Sequence, residues 1–535
     1  MTQAGRGWGP RALVFFALIL FAWSHRYALT MTGFADDLGL LIELPDRAAQ
    51  HTLFADIAAR MVGPLWPGSL MWRPLPYASF GMDALLWGNL PEAWRLTNLL
   101  LHLGCAAFTG LISARLTRTS LAGAAAFALV LLMPWSPEVT VWLVGRFDGW
   151  ATLGMLVALW CVLKSDRLDR WFAVSLFAAA AAYASKESAI ILPLWIIVIT
   201  VAGEIGEVRT NAARRTARPA RLRAALAARW PLVVAHVALA CAYYFWRTHL
   251  FAGASVNAYA GAVPDNLMQL LSRTVAHAGF AGGLVAQAPV AAWASAVGAV
   301  SLLSFGSRSR AKSMIVVGVL LACSVFAALA VYFPDAPRNS EGYRLYYLAT
   351  VGMAMMLAAG VASAQRMNSI AFVVMIILSV SLATWQSRTT AEWTRASRAM
   401  RDAEIALQAT AARLPASDYG LVLMPDMTGH VPFARNAQGA IISHASANSS
   451  GLDVLSHLIV FTPPQLAEWY GLMQQDIVPR LTARNDAPAR PTRYFCFKSG
   501  TQQLQDLGYW PADKQDAWSA QWRDNARLHC PALSP

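Results

Sequence analysis

The chain has 535 residues, of which 56% are hydrophobic and 14% charged, and its mean hydropathy is +0.42. Those values exclude an ordinary soluble enzyme and place the chain among polytopic membrane proteins. The formal net charge is +13, yet the arginines fall between apolar runs, as the cytoplasmic loops of a membrane protein require, so the charge does not imply a nucleic-acid partner.

A short basic segment, Arg6 to Arg11, precedes the first apolar run. His25-Arg26-Tyr27 does not suit a signal-peptide cleavage site, so the sequence predicts a retained span over 12–30 with a cytoplasmic N-terminus. Gly33-Phe34-Ala35-Asp36-Asp37 follows and sets two adjacent carboxylates where a helix leaves the hydrocarbon. The loop over 31–92 carries several tryptophans and Pro64, Pro67, Pro74 and Pro76. It is too long for a plain connector and predicts functional or interfacial helices.

Spans two, three and four are expected at 94–114, 119–133 and 149–163, with Pro134-Trp135-Ser136-Pro137-Glu138 breaking the chain between the last two. Spans five and six, 171–184 and 188–202, flank Ser185-Lys186-Glu187. Span five is short: its helix reaches about 21 Å against a hydrocarbon core about 30 Å thick. Lys186 and Glu187 are therefore expected to face a polar cavity or a partner rather than lipid. The densest arginine cluster, Arg209, Arg214, Arg215, Arg218, Arg221, Arg223 and Arg229, reads as a topogenic loop beside anionic lipid. Span seven is expected at 231–251, and the Gly-rich stretch 264–286 reads as a juxtamembrane or re-entrant helix. Spans eight to eleven are expected at 288–305, 313–333, 345–364 and 368–385.

The span count can be checked against charge. With the N-terminus inside, eleven spans put the basic segments at 115–118, 164–170, 209–229, 308–312 and 366 in the cytoplasm. The same parity puts Asp36, Glu138, Asp148, Lys186 and Arg344 outside, together with the polar tail. Cys496 and Cys530 lie in that tail, where a disulfide is permitted, whereas Cys105, Cys161, Cys241 and Cys323 sit in apolar runs and read as buried small hydrophobes. Thr390 to Leu414 has helical periodicity, and Tyr419 to Pro425 and Leu458 to Phe461 read as strands. The predicted architecture is mainly α: a transmembrane bundle of about eleven spans over 1–388, with the acidic pair in its outer loop, and a small extracytoplasmic α/β domain over 389–535. Abundant alanine and an excess of arginine over lysine hint at a GC-rich bacterial genome, and the expected location of such a multi-pass chain is the bacterial inner membrane.

Six outer-face segments stand out: Phe34 to Asp37, Trp72-Arg73-Pro74-Leu75, Thr97-Asn98 with His102, Pro137 to Asp148, Ser185-Lys186-Glu187, and Glu341 to Tyr347. Their order and topology resemble the GT-C class of polytopic glycosyltransferases, and within it the branch of the tetratricopeptide-bearing O-mannosyltransferases and their bacterial relatives. In that branch an acidic pair follows the first span. An Arg-Pro-Leu segment and an Asn-x-x-x-His helix come next, matched by Arg73-Pro74-Leu75 and by Asn98 with His102. The family's His-Pro-x-x-x-Glu-x-x-x-Trp-x-x-Gly-Arg-x-Asp stretch is matched by Pro134, Glu138, Trp142, Gly145, Arg146 and Asp148, with Met133 in place of the histidine. Its Ser-Lys-Glu is matched by Ser185, Lys186 and Glu187, and its Glu-Arg-Tyr-Leu-Tyr loosely by Glu341 to Tyr347. The chain carries no tetratricopeptide repeats.

The resemblance implies an inverting glycosyltransferase that moves a sugar from a polyprenyl-phosphate donor to a glycan, lipid or protein acceptor on the outer membrane face. Asp36 would accept the acceptor's proton, with Asp37 as a second contact. Lys186 and Arg344, with Arg73 and Arg146 as further candidates, would neutralise the leaving phosphate. Glu187 and Asp148 would anchor those cations, and Glu138 is open between capping a helix and pairing with Arg146. Trp72, Trp142 and Tyr343 would stack on a sugar or line the lipid groove, and Asn98 and His102 would tie span two to its neighbours. The resemblance leaves open a divalent cation, magnesium or manganese, with Asp36 and Asp37 as candidate ligands. The rival reading is a polytopic transporter or a lipid or glycan flippase; no paired repeat is visible and the charges cluster on one face, which speaks against it.

Overall fold

The computed structural model describes residues 8–66, 69–165, 168–210, 218–251, 264–279, 289–304, 309–333, 340–363, 368–415, 417–429, 431–435, 438–447, 458–462, 492–498, 500–509 and Cys530. The arginine loop from 211 to 217 and the stretch 334–339 lie outside the described residues, as do the side chains of Arg209, Arg221, Arg223, Arg310 and Glu341.

Apolar runs become helices where expected. Helix α1 covers Trp8–Ser24, α2 Asp36–Ala49, α3 Leu53–Val62, α4 Pro74–Trp87, α5 Pro91–Thr117 and α6 Ser120–Leu131. The long loop over 31–92 thus contains three helices of its own, α2 to α4. A single turn, α7 (Pro137–Thr140), leads to α8 (Arg146–Lys164), α9 (Arg170–Tyr183), α10 (Leu192–Thr210) and α11 (Arg218–Leu250). Then come α12 (Leu267–Ala278), α13 (Pro289–Ser304), α14 (Ser309–Tyr332), α15 (Ala349–Ser363) and α16 (Asn368–Ala411). Five helical segments among the described residues are long and apolar enough to cross a bilayer, and five shorter apolar ones accompany them.

Local chemistry sets the ends of these helices. The Thr119 side chain accepts a hydrogen bond from the Ala122 N–H and starts α6; Asp169 does the same for α9 through the Phe172 N–H. Helix α6 is apolar all round, and Ala122 to Leu131 are all buried, as befits an interior helix. Where helices cross closely, small residues permit it. A Cβ on Gly318 of α14 would lie 2.5 Å from the Gly352 carbonyl oxygen and 2.6 Å from the Met356 nitrogen of α15. Buried polar ties fix the entry of the chain: Ser24 Oγ donates to Gln386 Oε1 at 2.6 Å, and Gln386 Nε2 donates to the Leu131 carbonyl and to Ser136 Oγ.

The expected last span and the periodic stretch after it form one 44-residue helix, α16. No glycine or proline interrupts residues 368–411, so nothing stops propagation, and at 1.5 Å per residue the helix is about 66 Å long.

The chain divides into two compact units, one of residues 1–29, 51–83 and 93–390, the other of 30–50, 84–92 and 391–535. The first is helical. The second contains a four-stranded sheet of order β4-β1-β5-β6, with β1 at Tyr419–Leu423, β4 at Leu458–Phe461, β5 at Thr492–Phe497 and β6 at Leu504–Tyr509. Strand β1 pairs in parallel with β4 and β5, and β6 closes one edge antiparallel. A short hairpin, β2 (Met427–Thr428) and β3 (Val431–Pro432), follows β1, and helix α17 covers Gln438–Ala447. Cys496 of β5 forms a disulfide with Cys530, the pairing expected from their place in the polar tail.

Candidate functional site

The Pro137–Asp148 segment builds the centre of the helical unit. Proline at the first position of α7 presets the turn, and Gly145 lets the chain fold back on itself: a Cβ there would lie 2.7 Å from Val139 Cα. The turn exposes carbonyls inside the protein, and α5 supplies their donors. Asn98 Nδ2 faces the carbonyls of Val139, Trp142 and Leu143 at 3.1, 3.0 and 3.2 Å, and Arg95 Nε donates to the Val141 carbonyl at 2.8 Å. His102 Nε2 donates to the Leu131 carbonyl at 3.1 Å, which leaves Nδ1 to accept from the Tyr347 hydroxyl at 2.6 Å. Asn98 and His102 therefore serve as interhelical ties.

Each candidate cation has a carboxylate partner. Arg73 makes a two-pronged pair with Glu187, at 2.6 and 3.3 Å, and its guanidinium lies 4.9 Å from the Phe147 ring centre. Lys186 Nζ lies 2.5 Å from Asp148 Oδ1. Arg146 is fully buried and pairs with Asp83 at 2.5 Å; it also donates to Asn98 Oδ1 at 2.8 Å and to the Trp94 carbonyl at 2.6 Å. Glu138, open between two roles in the sequence, faces Arg344: it accepts from the Arg344 backbone N–H at 2.8 Å and lies 3.6 Å from its guanidinium. That guanidinium sits 4.4 Å over the Trp142 ring and keeps 21% of its side-chain surface exposed. Tyr343 is buried in an apolar cluster with Met133, Trp135 and Trp385, so it packs within the protein.

Arg247, near the C-terminal end of α11, escaped the sequence reading. It is buried, donates to the Leu70 carbonyl at 3.0 Å, and its charge acts on Glu187 together with those of Arg73 and Lys186. Tyr243, one turn earlier, stacks on Tyr183 at 5.1 Å and lies 6.0 Å from Trp72. Among the described residues, Arg73, Lys186 and Arg247 thus gather around Glu187 and Asp148, three cations against two carboxylates. A basic residue at the end of an apolar run, Trp246-Arg247, is the signal that would have found it. Asp83 was equally silent, since one aspartate within the helix-forming stretch after Arg73 carries no local mark.

The acidic pair occupies the first turn of α2, where the helix dipole favours negative charge. Asp37 is wholly buried and Asp36 half-buried. Ala35, immediately before them, has φ 49° and ψ −133°, a conformation that costs a non-glycine residue about 1–3 kcal/mol. Among the described residues no group of three or more His, Cys, Asp or Glu side chains is arranged to hold a metal. Adjacent positions on a helix point about 100° apart, so the pair makes a poor two-sided chelate for a divalent cation.

No family model matches the chain, and no curated protein matches it. Among solved structures it is similar to the crystal structure of ArnT from Cupriavidus metallidurans in the apo state, at 15% identity over 92% of this chain and 93% of that one, with a TM-score of 0.40.

Proposed function

We propose that this chain is an inverting glycosyltransferase of the inner membrane that moves a sugar from a polyprenyl-phosphate donor to an acceptor hydroxyl or amine on the outer face. One observation carries the reading: Arg73, Lys186 and Arg247 outnumber Glu187 and Asp148 in a largely buried cluster. An excess cation held away from water is costly unless an anion joins it, and a phosphate diester supplies one negative charge. Arg344 is paired with Glu138, but it keeps 21% of its side-chain surface exposed and its Nε makes no hydrogen bond among the described residues, so it can also turn to a phosphate.

The chemistry follows from these groups. The acceptor oxygen or nitrogen attacks the anomeric carbon, the bond from that carbon to the phosphate oxygen breaks, and the polyprenyl phosphate leaves with both electrons. Asp36 takes the acceptor's proton, with Asp37 as a second contact. The cations offset the charge gathering on the departing phosphate. Their carboxylate partners hold them in place, so little reorganisation is needed as that charge develops.

The test is transfer in proteoliposomes from radiolabelled polyprenyl-phosphate sugars to membrane extract, comparing wild type with Asp36→Asn. Label should move with the wild type and not with the variant, and the labelled product names the acceptor. Label that crosses the bilayer without a new glycosidic bond would overturn the reading in favour of transport.

A further inference from the structure

The segment that carries the acidic pair is strapped down within the second unit. The Thr32 N–H donates to Ser397 Oγ of α16 at 2.8 Å, and the Phe34 ring packs 5.2 Å from that of Trp393. The Ala35 N–H then donates to the Phe433 carbonyl at 2.9 Å. Phe433 belongs to the loop after β1, and that loop is itself closed. Its N–H donates to the Asp426 carbonyl at 2.8 Å, the Ala434 N–H donates to the Pro425 carbonyl at 3.3 Å, and β2 pairs with β3 between them. Arg435 clamps the base of the loop, with Nε and Nη2 at 2.8 and 2.6 Å from Asp426 Oδ2. The Phe433 ring is fully buried and stacks on Phe497 of β5 at 6.0 Å, one residue from the disulfide at Cys496.

These contacts have one common end. A positive φ at an alanine persists only where its surroundings over-determine it, and the Phe433 carbonyl is what fixes the Ala35 amide. Ala35 in turn sets where α2 begins and therefore where Asp36 and Asp37 project. Loops at the carboxyl ends of parallel strands are where α/β sheets place functional groups, and the 425–435 loop leaves the carboxyl end of the central strand β1.

We propose that the 425–435 loop of the C-terminal sheet is the positioning device for the acidic pair, with the Phe433 carbonyl holding Ala35 and the Asp426–Arg435 clamp holding Phe433. This rests on the reading of Asp36 as the base. It gives the C-terminal domain a part in the chemistry beyond docking or stability. Arg435 and Asp426 are positioning residues; neither touches substrate.

The experiment uses the full chain in proteoliposomes with four variants: Arg435→Met, Arg435→Lys, Ala35→Val and Ala35→Gly. Displacing a catalytic group by about 1 Å costs about 100-fold in rate, so Arg435→Met and Ala35→Val should lower kcat about tenfold or more while the donor KM stays within about twofold. Arg435→Lys should recover most of the rate, and Ala35→Gly, which adopts the positive φ without strain, should match wild type. Hydrogen exchange supplies a readout independent of turnover: the Ala35 amide should exchange at least about tenfold faster in Arg435→Met, with the Cys496–Cys530 disulfide still protected from alkylation as the sign that the sheet has formed. Wild-type kcat and wild-type exchange in Arg435→Met and Ala35→Val, with Asp36→Asn inactive, would overturn this inference alone. Full activity of Asp36→Asn would overturn the reading beneath it.

Discussion

Replacing Arg146 by methionine separates a structural clamp from a phosphate-binding residue. Its side chain has no exposed surface, and Asp83, its partner at 2.5 Å, is 6% exposed. The same guanidinium bonds Asn98 and the Trp94 carbonyl and lies 4.2 Å over the Phe80 ring. Removing one member of a buried pair leaves the other charge uncompensated, which costs about 3–5 kcal/mol. Removing both, in Arg146→Met with Asp83→Leu, takes away that penalty and leaves the Asn98 amide oxygen without its Arg146 donor, at roughly 1–3 kcal/mol. The double variant should therefore be more stable than Arg146→Met alone. The assay is reversible unfolding in mixed micelles, read as a double-mutant cycle, beside transfer activity in proteoliposomes. If Arg146→Met loses less than about 1 kcal/mol, the clamp argument built on that buried-pair cost is wrong. Abolished transfer in such a stable variant would make the guanidinium a ligand for the donor.

Two further outcomes follow from the geometry. Arg247→Gln should raise the donor KM about tenfold or more, since a hydrogen bond to a charged group is worth about 1.5–3 kcal/mol; an unchanged KM for both donor and acceptor would remove Arg247 from the cation cluster. In the C-terminal unit, the Tyr509 hydroxyl donates to Asp418 at 3.0 Å, and that bond holds the phenol above its ordinary value. A raised value in the folded state means that the bond stabilises the fold below a pH of about 10 and is lost as pH climbs through the raised value. Spectrophotometric titration of wild type against Tyr509→Phe should isolate the late-ionising phenol, and Asp418→Asn should bring its ionisation earlier. A Tyr509 that titrates like free tyrosine would contradict the contact.

The helices were legible because their signal is local. Apolar runs, an N-capping threonine or aspartate and a helix-breaking Pro134 each act within a few residues, so α5, α6, α8, α9 and α15 lie close to their expected positions. The uninterrupted composition of 368–411 equally dictates one long helix; dividing it at the change from apolar to polar residues mistook a change of surroundings for a change of backbone. The C-terminal sheet was half legible. The strand at 419–423 and that at 458–461 are apolar runs, whereas β6, Leu504-Gln505-Asp506-Leu507-Gly508-Tyr509, is an edge strand of mixed character and gains its identity only by pairing with β5.

By itself the sequence determined which residues carry charge in an apolar chain, and that they recur in a particular order at helix ends. That follows because an unpaired charge is too costly in lipid to arise without a partner. Only the tertiary structure decided who the partners are. Glu138 meets Arg344 from 206 positions away, Arg146 meets Asp83, and Arg247 joins Arg73 and Lys186. The carbonyl that fixes Ala35 comes from Phe433, far along the chain. Charge and hydropathy are properties of single residues and short windows, but pairing depends on which helix faces and loop ends packing brings within about 3 Å, and no local pattern records that distance.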